Sequence, residues 1–144
     1  MPIVNFICLA HSKKYSQRCI AGLLLDTGKW IRPTSREKHG ELSPEQVKLS
    51  NDGDPQLFDV VSISLAQHVP VKNQPENWRI QYSPWKLICR PAPVEHFSLL
   101  KSALFRGSIL FGNTSDRVAY KTFDTAPSAE SLVLAKPARP RWIV

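Results

Sequence analysis

The first third of the chain combines strand-length apolar runs with a tight turn, and no other feature constrains the fold as strongly. Residues 3–10 form a nearly continuous run of β-forming apolar residues, which is typical of a strand buried on both faces. Residues 19–25 are a second such run, and residues 26–29 favour a tight turn because their glycine can adopt a positive φ. Residues 30–32 predict a third strand, which Pro33 would end because proline cannot donate to a strand ladder. The sequence therefore predicts a β-hairpin.

The later pattern adds short helices to further strands. Ser43 and Pro44 predict a helix start, because serine can cap the first turn and proline suits it, and Gln46 stands where a capping box requires it. Apolar residues at helical spacing predict an amphipathic helix over residues 94–106, which Gly107 can cap. The other expectations are a polar break at residues 11–18, strands at 58–65, 79–82, 117–122 and 131–136, a loop over most of 69–84, and an extended tail after 136.

Size and composition bound the fold class. The 144 residues suit one domain, and the hydrophobic and charged fractions of 42% and 22% are those of a folded globular protein. We expect an α+β, mainly β fold with a small barrel and one or two helices, in one domain over residues 1–144. Residues 1–90 would form the barrel core, and residues 91–144 would add a helix and closing or partner-pairing strands. A five-stranded OB barrel is one architecture built from such pieces.

Targeting signals and metal-ligand spacings are not found in the sequence. No apolar run approaches the roughly 18 residues of a membrane-spanning helix, and residues 1–9 predict a buried strand rather than a signal peptide. We therefore expect a cytoplasmic protein without membrane association. Cys8, Cys19 and Cys89 are odd in number and widely spaced, which favours reduced thiols and offers no zinc site. We expect neither a metal nor a cofactor.

The sequence offers no catalytic constellation. Its six glycines are not clustered, so it lacks a glycine-rich phosphate loop. Residues 11–12 and 95–96 each place a histidine beside a serine or a glutamate. Neighbours along a strand, such as residues 11 and 12, face opposite ways, and His96 lies on the polar flank of its predicted helix. The aspartates within residues 52–59 flank a turn, where solvated carboxylates are ordinary. We therefore expect a protein that is not an enzyme.

Positive charge is concentrated near the N-terminus. The chain has a formal net charge of +7 and a pI of about 9.6. Residues 11–40 contain seven lysine and arginine residues against two acidic residues. Such an asymmetry suggests a polyanionic partner, and the alternative is an ordinary solvated surface.

Nucleic-acid binding requires cations for phosphates and aromatic faces for bases, and the basic region holds both. On a strand, Trp30 and Arg32 would share one face and Ile31 would take the other. The alternative for Trp30 is packing in the core. The candidate nucleic-acid-binding residues are Lys13, Lys14, Tyr15, Arg18, Lys29, Trp30, Arg32 and Arg36. The sequence leaves open whether the nucleic acid is DNA or RNA, single-stranded or structured.

Three N-terminal motifs are Phe6-Ile7-Cys8-Leu9-Ala10, Arg18-Cys19-Ile20-Ala21-Gly22 and Trp30-Ile31-Arg32-Pro33, and segments at residues 40–42, 58–61, 74–77 and 131–134 follow them. Together they resemble the prokaryotic dual OB-containing domain family. The resemblance implies OB-type barrels and a role in recognising nucleic acid, including within bacterial defence systems, and it implies no catalytic residues. The family usually continues past the segment that matches residues 131–134, so we expect a second barrel to be missing or incomplete.

Hypotheses from two other classes stay open. A protein-interaction or regulatory subunit would expose a cluster of Trp78, Trp85 or Trp142, because aromatic residues anchor such interfaces. A small hydrolase or nuclease would need His11 or His96 to meet a carboxylate in a cleft. The apolar C-terminal end on an extended segment also predicts a homodimer, formed by pairing with the sheet edge of a second copy.

Overall fold

Strands dominate the computed structural model, which describes residues 2–50, 53–112, 114–115, 121 and 131–137. The strands of these residues are β1 (Ile3–Lys14), β2 (Gln17–Leu24), β3 (Trp30–Thr34), β4 (Val60–His68), β5 (Asn77–Ile80) and β6 (Lys86–Cys89). The α-helices are α1 (Pro44–Val47) and α2 (Phe97–Ser102), and short 3-10 turns lie at Val94–His96 and Leu110–Gly112. None of the helices in these ranges has the length and apolar character needed to cross a bilayer.

The first five strands close into a barrel. β1 pairs antiparallel with both β2 and β4, and β3 pairs antiparallel with β2 and parallel with β5. β5 returns antiparallel to β4, which completes the ring in the order β1-β2-β3-β5-β4. β6 pairs with β4 beside β5 and extends the sheet. The predicted class, an α+β, mainly β fold with an OB-like barrel, is confirmed.

Side chains inside the barrel form the main core. Phe6, Ile31, Leu65 and Trp85 are each at most 2% exposed and belong to one packed cluster. The Trp85 ring packs edge-on against Phe6, with ring centroids 6.0 Å apart and planes at 85°. Burying a side chain of this size contributes roughly 1.5–3 kcal/mol. This cluster therefore provides a large part of the free energy that keeps the barrel closed.

The hairpin of β1 and β2 is longer than the sequence predicts. The two strands stay paired through residues 11–18, which were predicted to break the structure, and Lys14 lies opposite Gln17. Tyr15 and Ser16 form the turn with φ angles of 48° and 67°, the left-handed conformation that a two-residue hairpin turn favours. The prediction of a break was wrong because polar side chains report exposure, whereas the pairing uses backbone groups.

β3 also continues past Pro33, which was expected to end it. The N–H of Arg32 donates to the carbonyl oxygen of Glu76 at 2.9 Å, so this N–H points toward β5. Successive N–H groups of a strand point to opposite edges, and the nitrogen of Pro33 therefore faces away from β5. Pro33 can keep its register opposite Trp78 without the loss of a ladder hydrogen bond.

The capping box of α1 is confirmed. The N–H of Gln46 donates to the hydroxyl oxygen of Ser43 at 3.3 Å, and the N–H of Ser43 donates to the side-chain oxygen of Gln46 at 2.8 Å. Pro44 occupies the first turn, as predicted. The helix is only four residues long.

The second predicted helix is shorter than its sequence pattern. A 3-10 turn replaces its start, and α2 ends at Ser102, so Gly107 is not its cap. Beyond the helix, the N–H of Phe105 donates to the carbonyl oxygen of Leu134 at 2.8 Å, and Leu104 forms a bridge with Leu134. Pairing with this distant segment takes precedence over the helical periodicity of residues 103–106.

An ion pair between the exposed Arg90 and a buried carboxylate joins the chain before α2 to the barrel. Asp59 is 0% exposed and accepts two hydrogen bonds from Arg90, from Nε at 2.7 Å and from Nη2 at 2.6 Å. The N–H of Gln56 donates to the same carboxylate at 2.7 Å. The hydrogen bonds to Asp59 raise the pKa of Arg90 above its ordinary value. Arg90 directly follows β6, so this contact ties the chain that leads to α2 to the barrel.

The remaining predicted strands differ in their bounds. The structure starts β4 at Val60 and β5 at Asn77, and it contains β6, which was not predicted. Residues 131–137 contribute one isolated bridge rather than a strand. The strand predicted at residues 117–122, apart from residue 121, and the apolar end at residues 142–144 lie outside the described residues.

Candidate functional site

The outer face of β2 and β3 lies between loops at opposite ends of the barrel. The β1–β2 turn is at one end. β4 runs antiparallel to β1, from Val60 opposite Ile7 to Ser64 opposite Ile3, so the β4–β5 loop is at the other end. On β3, Ile31 is buried in the core, whereas Trp30 and Arg32 are only partly buried, which is the predicted alternation. OB barrels bind oligonucleotides on this strand face and on these two loops.

A cleft of about 960 Å³ opens at the end of this face that carries the β4–β5 loop. Its walls come from the β2–β3 turn, from β3 and β5, from the chain after α2 and from residues 131–133. The aromatic side chains Trp30, Trp78 and Phe105 line it together with the cations Lys29 and Arg106. Of these five residues, the sequence predicted Lys29 and Trp30, and it gave no signal that the other three would join them.

One wall of the cleft is a stacked pair of rings. His68 and Trp78 are register partners on β4 and β5, with ring centroids 4.7 Å apart and planes inclined by 32°. His68 Nε2 lies 2.7 Å from the carbonyl oxygen of Pro75. A carbonyl oxygen can only accept, so Nε2 carries the proton. This hydrogen bond holds the imidazole of His68 against the β4–β5 loop, and the indole of Trp78 packs on that imidazole.

Arg32 already has a partner in the structure. Its Nη2 lies 2.9 Å from Glu76 Oε1 and donates to the Ser131 hydroxyl oxygen at 2.9 Å. The Ser131 hydroxyl in turn donates to Glu76 Oε1. The side chains of Arg32 and Glu76 are 23% and 6% exposed. Arg32 therefore balances a buried carboxylate in the cleft wall, which its position in the sequence did not reveal.

Arg18 is also engaged by a carboxylate. Its Nε donates to Asp54 Oδ2 at 2.6 Å, its Nη1 donates to the carbonyl oxygen of Ser16 at 2.9 Å, and its side chain is 13% exposed. His11 Nε2 lies 3.8 Å from the same Asp54 oxygen, and His11 Nδ1 lies 2.8 Å from the carbonyl oxygen of Pro55. His11 thus meets a carboxylate, but that carboxylate is held by Arg18 and does not line the cleft.

The other predicted residues lie at the opposite end of the face from the cleft. Lys13 and Tyr15 are exposed at the β1–β2 turn, where Tyr15 is 89% exposed and Lys14 is the last residue of β1. Arg36 is exposed in the loop after β3, and this loop returns to the same end because Arg18 pairs with Leu42. The eight residues of β2 span roughly 23 Å between the two ends. The structure therefore divides the predicted patch into two groups.

Among the described residues, Trp78 and Trp85 do not form the exposed cluster that a protein-docking surface would need. Trp85 is 1% exposed in the barrel core, and Trp78 is a partly buried wall of the cleft. Trp142 lies outside the described residues.

Within the described ranges, no group of three or more histidine, cysteine, aspartate or glutamate residues is arranged to hold a metal ion. The three cysteines are free thiols, of which Cys19 is exposed and Cys8 is buried. Burial, followed by the negative charge of Asp59, raises the pKa of the Cys8 thiol to about 12. Cys8 therefore stays protonated and serves as an apolar core residue.

Comparison with known proteins identifies the family. The sequence profile of the dual OB-containing domain matches residues 4–143, which is nearly the whole chain. The chain therefore belongs to the dual OB-containing domain family. No significant match was found among curated proteins or among solved structures. The barrel of β1 to β5 supplies an OB-type fold of the kind that the family name describes.

Proposed function

We propose that this member of the dual OB-containing domain family is a non-catalytic module that binds single-stranded nucleic acid across the outer face of β2 and β3. The observation that carries the proposal is the position of Lys29 and Trp30, a cation beside an aromatic ring, in the cleft at one end of that face. OB barrels commonly bind oligonucleotides there.

The aromatic residues of the cleft suit unpaired bases. Trp30 and Trp78 both line it, and the stack with His68 fixes the orientation of the Trp78 ring. Stacking of a base on an aromatic side chain contributes about 1–3 kcal/mol and tolerates any sequence, because every base has a π face. A duplex keeps its bases stacked on one another, so the cleft favours a single strand.

The distribution of cations suits a phosphate backbone that crosses the face. Lys29 and Arg106 lie at the cleft, and Lys13 and Arg36 are exposed at the opposite end, roughly 23 Å away. OB folds cover about 4–16 nucleotides of single strand, a range that bridges this distance. Each phosphate contact lowers the salt slope of the binding constant by about 0.7 for a single strand, so about four contacts predict a slope near −3.

The absence of catalysis is part of the proposal. The one histidine that meets a carboxylate in the described part of the chain, His11, shares Asp54 with Arg18 and lies outside the cleft. Arg18 therefore already occupies the carboxylate oxygen that lies nearest to His11.

Fluorescence anisotropy with a labelled thymine tract of about 12 nucleotides, its RNA counterpart and a duplex tests the proposal. We expect the single strands to bind more tightly than the duplex, with affinity falling steeply between about 50 and about 200 mM salt. Trp30→Ala and Lys29→Glu should each weaken binding at least about tenfold, from lost stacking and from a reversed charge.

Lys86→Glu is the matched control for charge. Lys86 is exposed on β6 opposite Ser62, six residues along β4 from His68 at the cleft, or roughly 20 Å away. We expect little change in affinity beyond the general effect of net charge. Absence of binding to every oligonucleotide at low salt, or equal losses in Lys29→Glu and Lys86→Glu, would contradict the proposal.

A further inference from the structure

We infer that the cleft binds one nucleobase through the carboxylate of Glu76 and prefers guanine to thymine or uracil. This inference rests on the proposed function and names the base that the same site selects. It follows from the position of an acidic side chain in a site that is otherwise cationic and aromatic.

A carboxylate in the cleft wall defines what can lie against it. Glu76 lines the cleft, and its side chain is 6% exposed. Phosphate would be repelled there, whereas an N–H group of a base would be attracted. Arg32, 2.9 Å from Glu76 Oε1, balances the negative charge and lets the site stay compatible with a polyanion.

The contacts of Glu76 orient its carboxylate. Both the Arg32 guanidinium and the Ser131 hydroxyl contact Oε1. A carboxylate offers about four lone-pair sites on its two oxygens, so these two contacts occupy about half of its acceptor capacity. The N–H of Arg32 also donates to the carbonyl oxygen of Glu76 at 2.9 Å, which fixes the backbone of residue 76 against β3. The acceptor is therefore held in place before a ligand arrives.

The pattern of donors on the bases then decides the preference. Guanine presents two adjacent donors, its ring N1–H and its 2-amino group, on one edge. Thymine and uracil present a single N–H between two carbonyl oxygens, which a carboxylate repels. Adenine and cytosine present an amino group beside a ring nitrogen that can only accept. Guanine therefore makes the most favourable contact with Glu76 while its ring stacks on Trp30 or Trp78.

The test uses thymine tracts that differ at one central position, which carries guanine, hypoxanthine or thymine. Hypoxanthine keeps the ring N–H of guanine and lacks the 2-amino group. With the unmodified protein, we expect the guanine tract to bind about tenfold more tightly than the thymine tract, and the hypoxanthine tract to fall between them. This comparison changes only the ligand, so it does not depend on whether a variant folds.

Glu76→Gln provides the protein side of the test, with Glu95→Gln as the control for an exposed carboxylate outside the cleft. Glu76→Gln should reduce the guanine preference to less than about threefold, whereas Glu95→Gln should keep the preference. Equal binding of the three tracts by the unmodified protein would overturn the inference and leave the proposed function standing. Failure of every tract to bind would refute the proposed function itself.

Discussion

Replacing Gly22 with alanine tests the closed barrel most severely. Gly22 lies in the middle of β2, opposite Cys8 on β1 and Ile31 on β3. A Cβ at this position would overlap the carbonyl oxygen of Ile7 and would lie 2.6 Å from the Phe6 ring. The carbonyl oxygen belongs to the neighbouring strand β1, and the Phe6 ring belongs to the core of the barrel. The close approach of β1 to β2 gives a physical reason for glycine at this position.

The magnitude follows from what must move. Overpacking of a core costs about 1–3 kcal/mol, and the overlap with a backbone oxygen puts this site at the upper end. Separating β1 from β2 weakens ladder hydrogen bonds, each of which contributes about 1 kcal/mol. The lower entropy of the unfolded alanine variant offsets about 0.4–1 kcal/mol. We therefore expect Gly22→Ala to lower the free energy of unfolding by about 3 kcal/mol.

Urea unfolding followed by tryptophan fluorescence measures this change, and Gly107→Ala is the matched control. At Gly107 the three atoms nearest to a Cβ all belong to the ring of Phe105, the far end of a side chain that can rotate away. We expect the control to change the free energy of unfolding by less than about 1 kcal/mol. A Gly22→Ala variant as stable as the control would refute the reasoning, because β1 and β2 would then separate without cost.

Other predictions concern a buried thiol, the hairpin turn and a helix cap. Between pH 9.0 and about 12, Cys8 loses its proton in the unfolded chain but keeps it in the folded protein. The free energy of unfolding should therefore fall by about 1.4 kcal/mol per pH unit over this range. Urea unfolding at a series of pH values should show a smaller fall for Cys8→Ala than for the unmodified protein. The double variant Tyr15→Asn, Ser16→Gly should stabilise the protein by about 1 kcal/mol, because asparagine and glycine favour the left-handed conformation of both turn residues. Its thermal unfolding midpoint should rise, and an unaltered or lower midpoint would argue against positive φ angles at these two positions. Ser43→Ala should destabilise the protein by about 1 kcal/mol in urea unfolding, and a neutral effect would show that the capping box contributes little.

Local sequence rules predicted the barrel class because its parts are local. The apolar runs of β1 and β2, the alternation on β3 and the capping box at Ser43 each depend on neighbours in the chain. The rules were wrong where a distant segment decides the backbone. Pro33 stays in a strand because β5 pairs with its neighbours, and α2 ends early because residues 104–105 pair with Leu134.

The candidate site was only half predictable for the same reason. Charge and aromatic content identified Lys29 and Trp30, but the cleft forms where segments from residues 24 to 133 meet. The ion-pair partners of Arg18 and Arg32 lie 36 and 44 residues farther along the chain, at Asp54 and Glu76. A local reading counts both arginines as available cations. No local pattern indicates that the buried carboxylate of Glu76 lines the cleft beside Lys29 and Trp30.

The indole N–H signals of the tryptophans test the central claim most directly. In a two-dimensional ¹⁵N spectrum, titration with a single-stranded oligonucleotide should shift the signals of Trp30 and Trp78, which line the cleft. The signal of Trp85, 1% exposed in the core, should stay in place and serve as an internal reference. If the oligonucleotide binds and the signals of Trp30 and Trp78 do not move, nucleic acid does not use this face of the barrel and the central claim is contradicted.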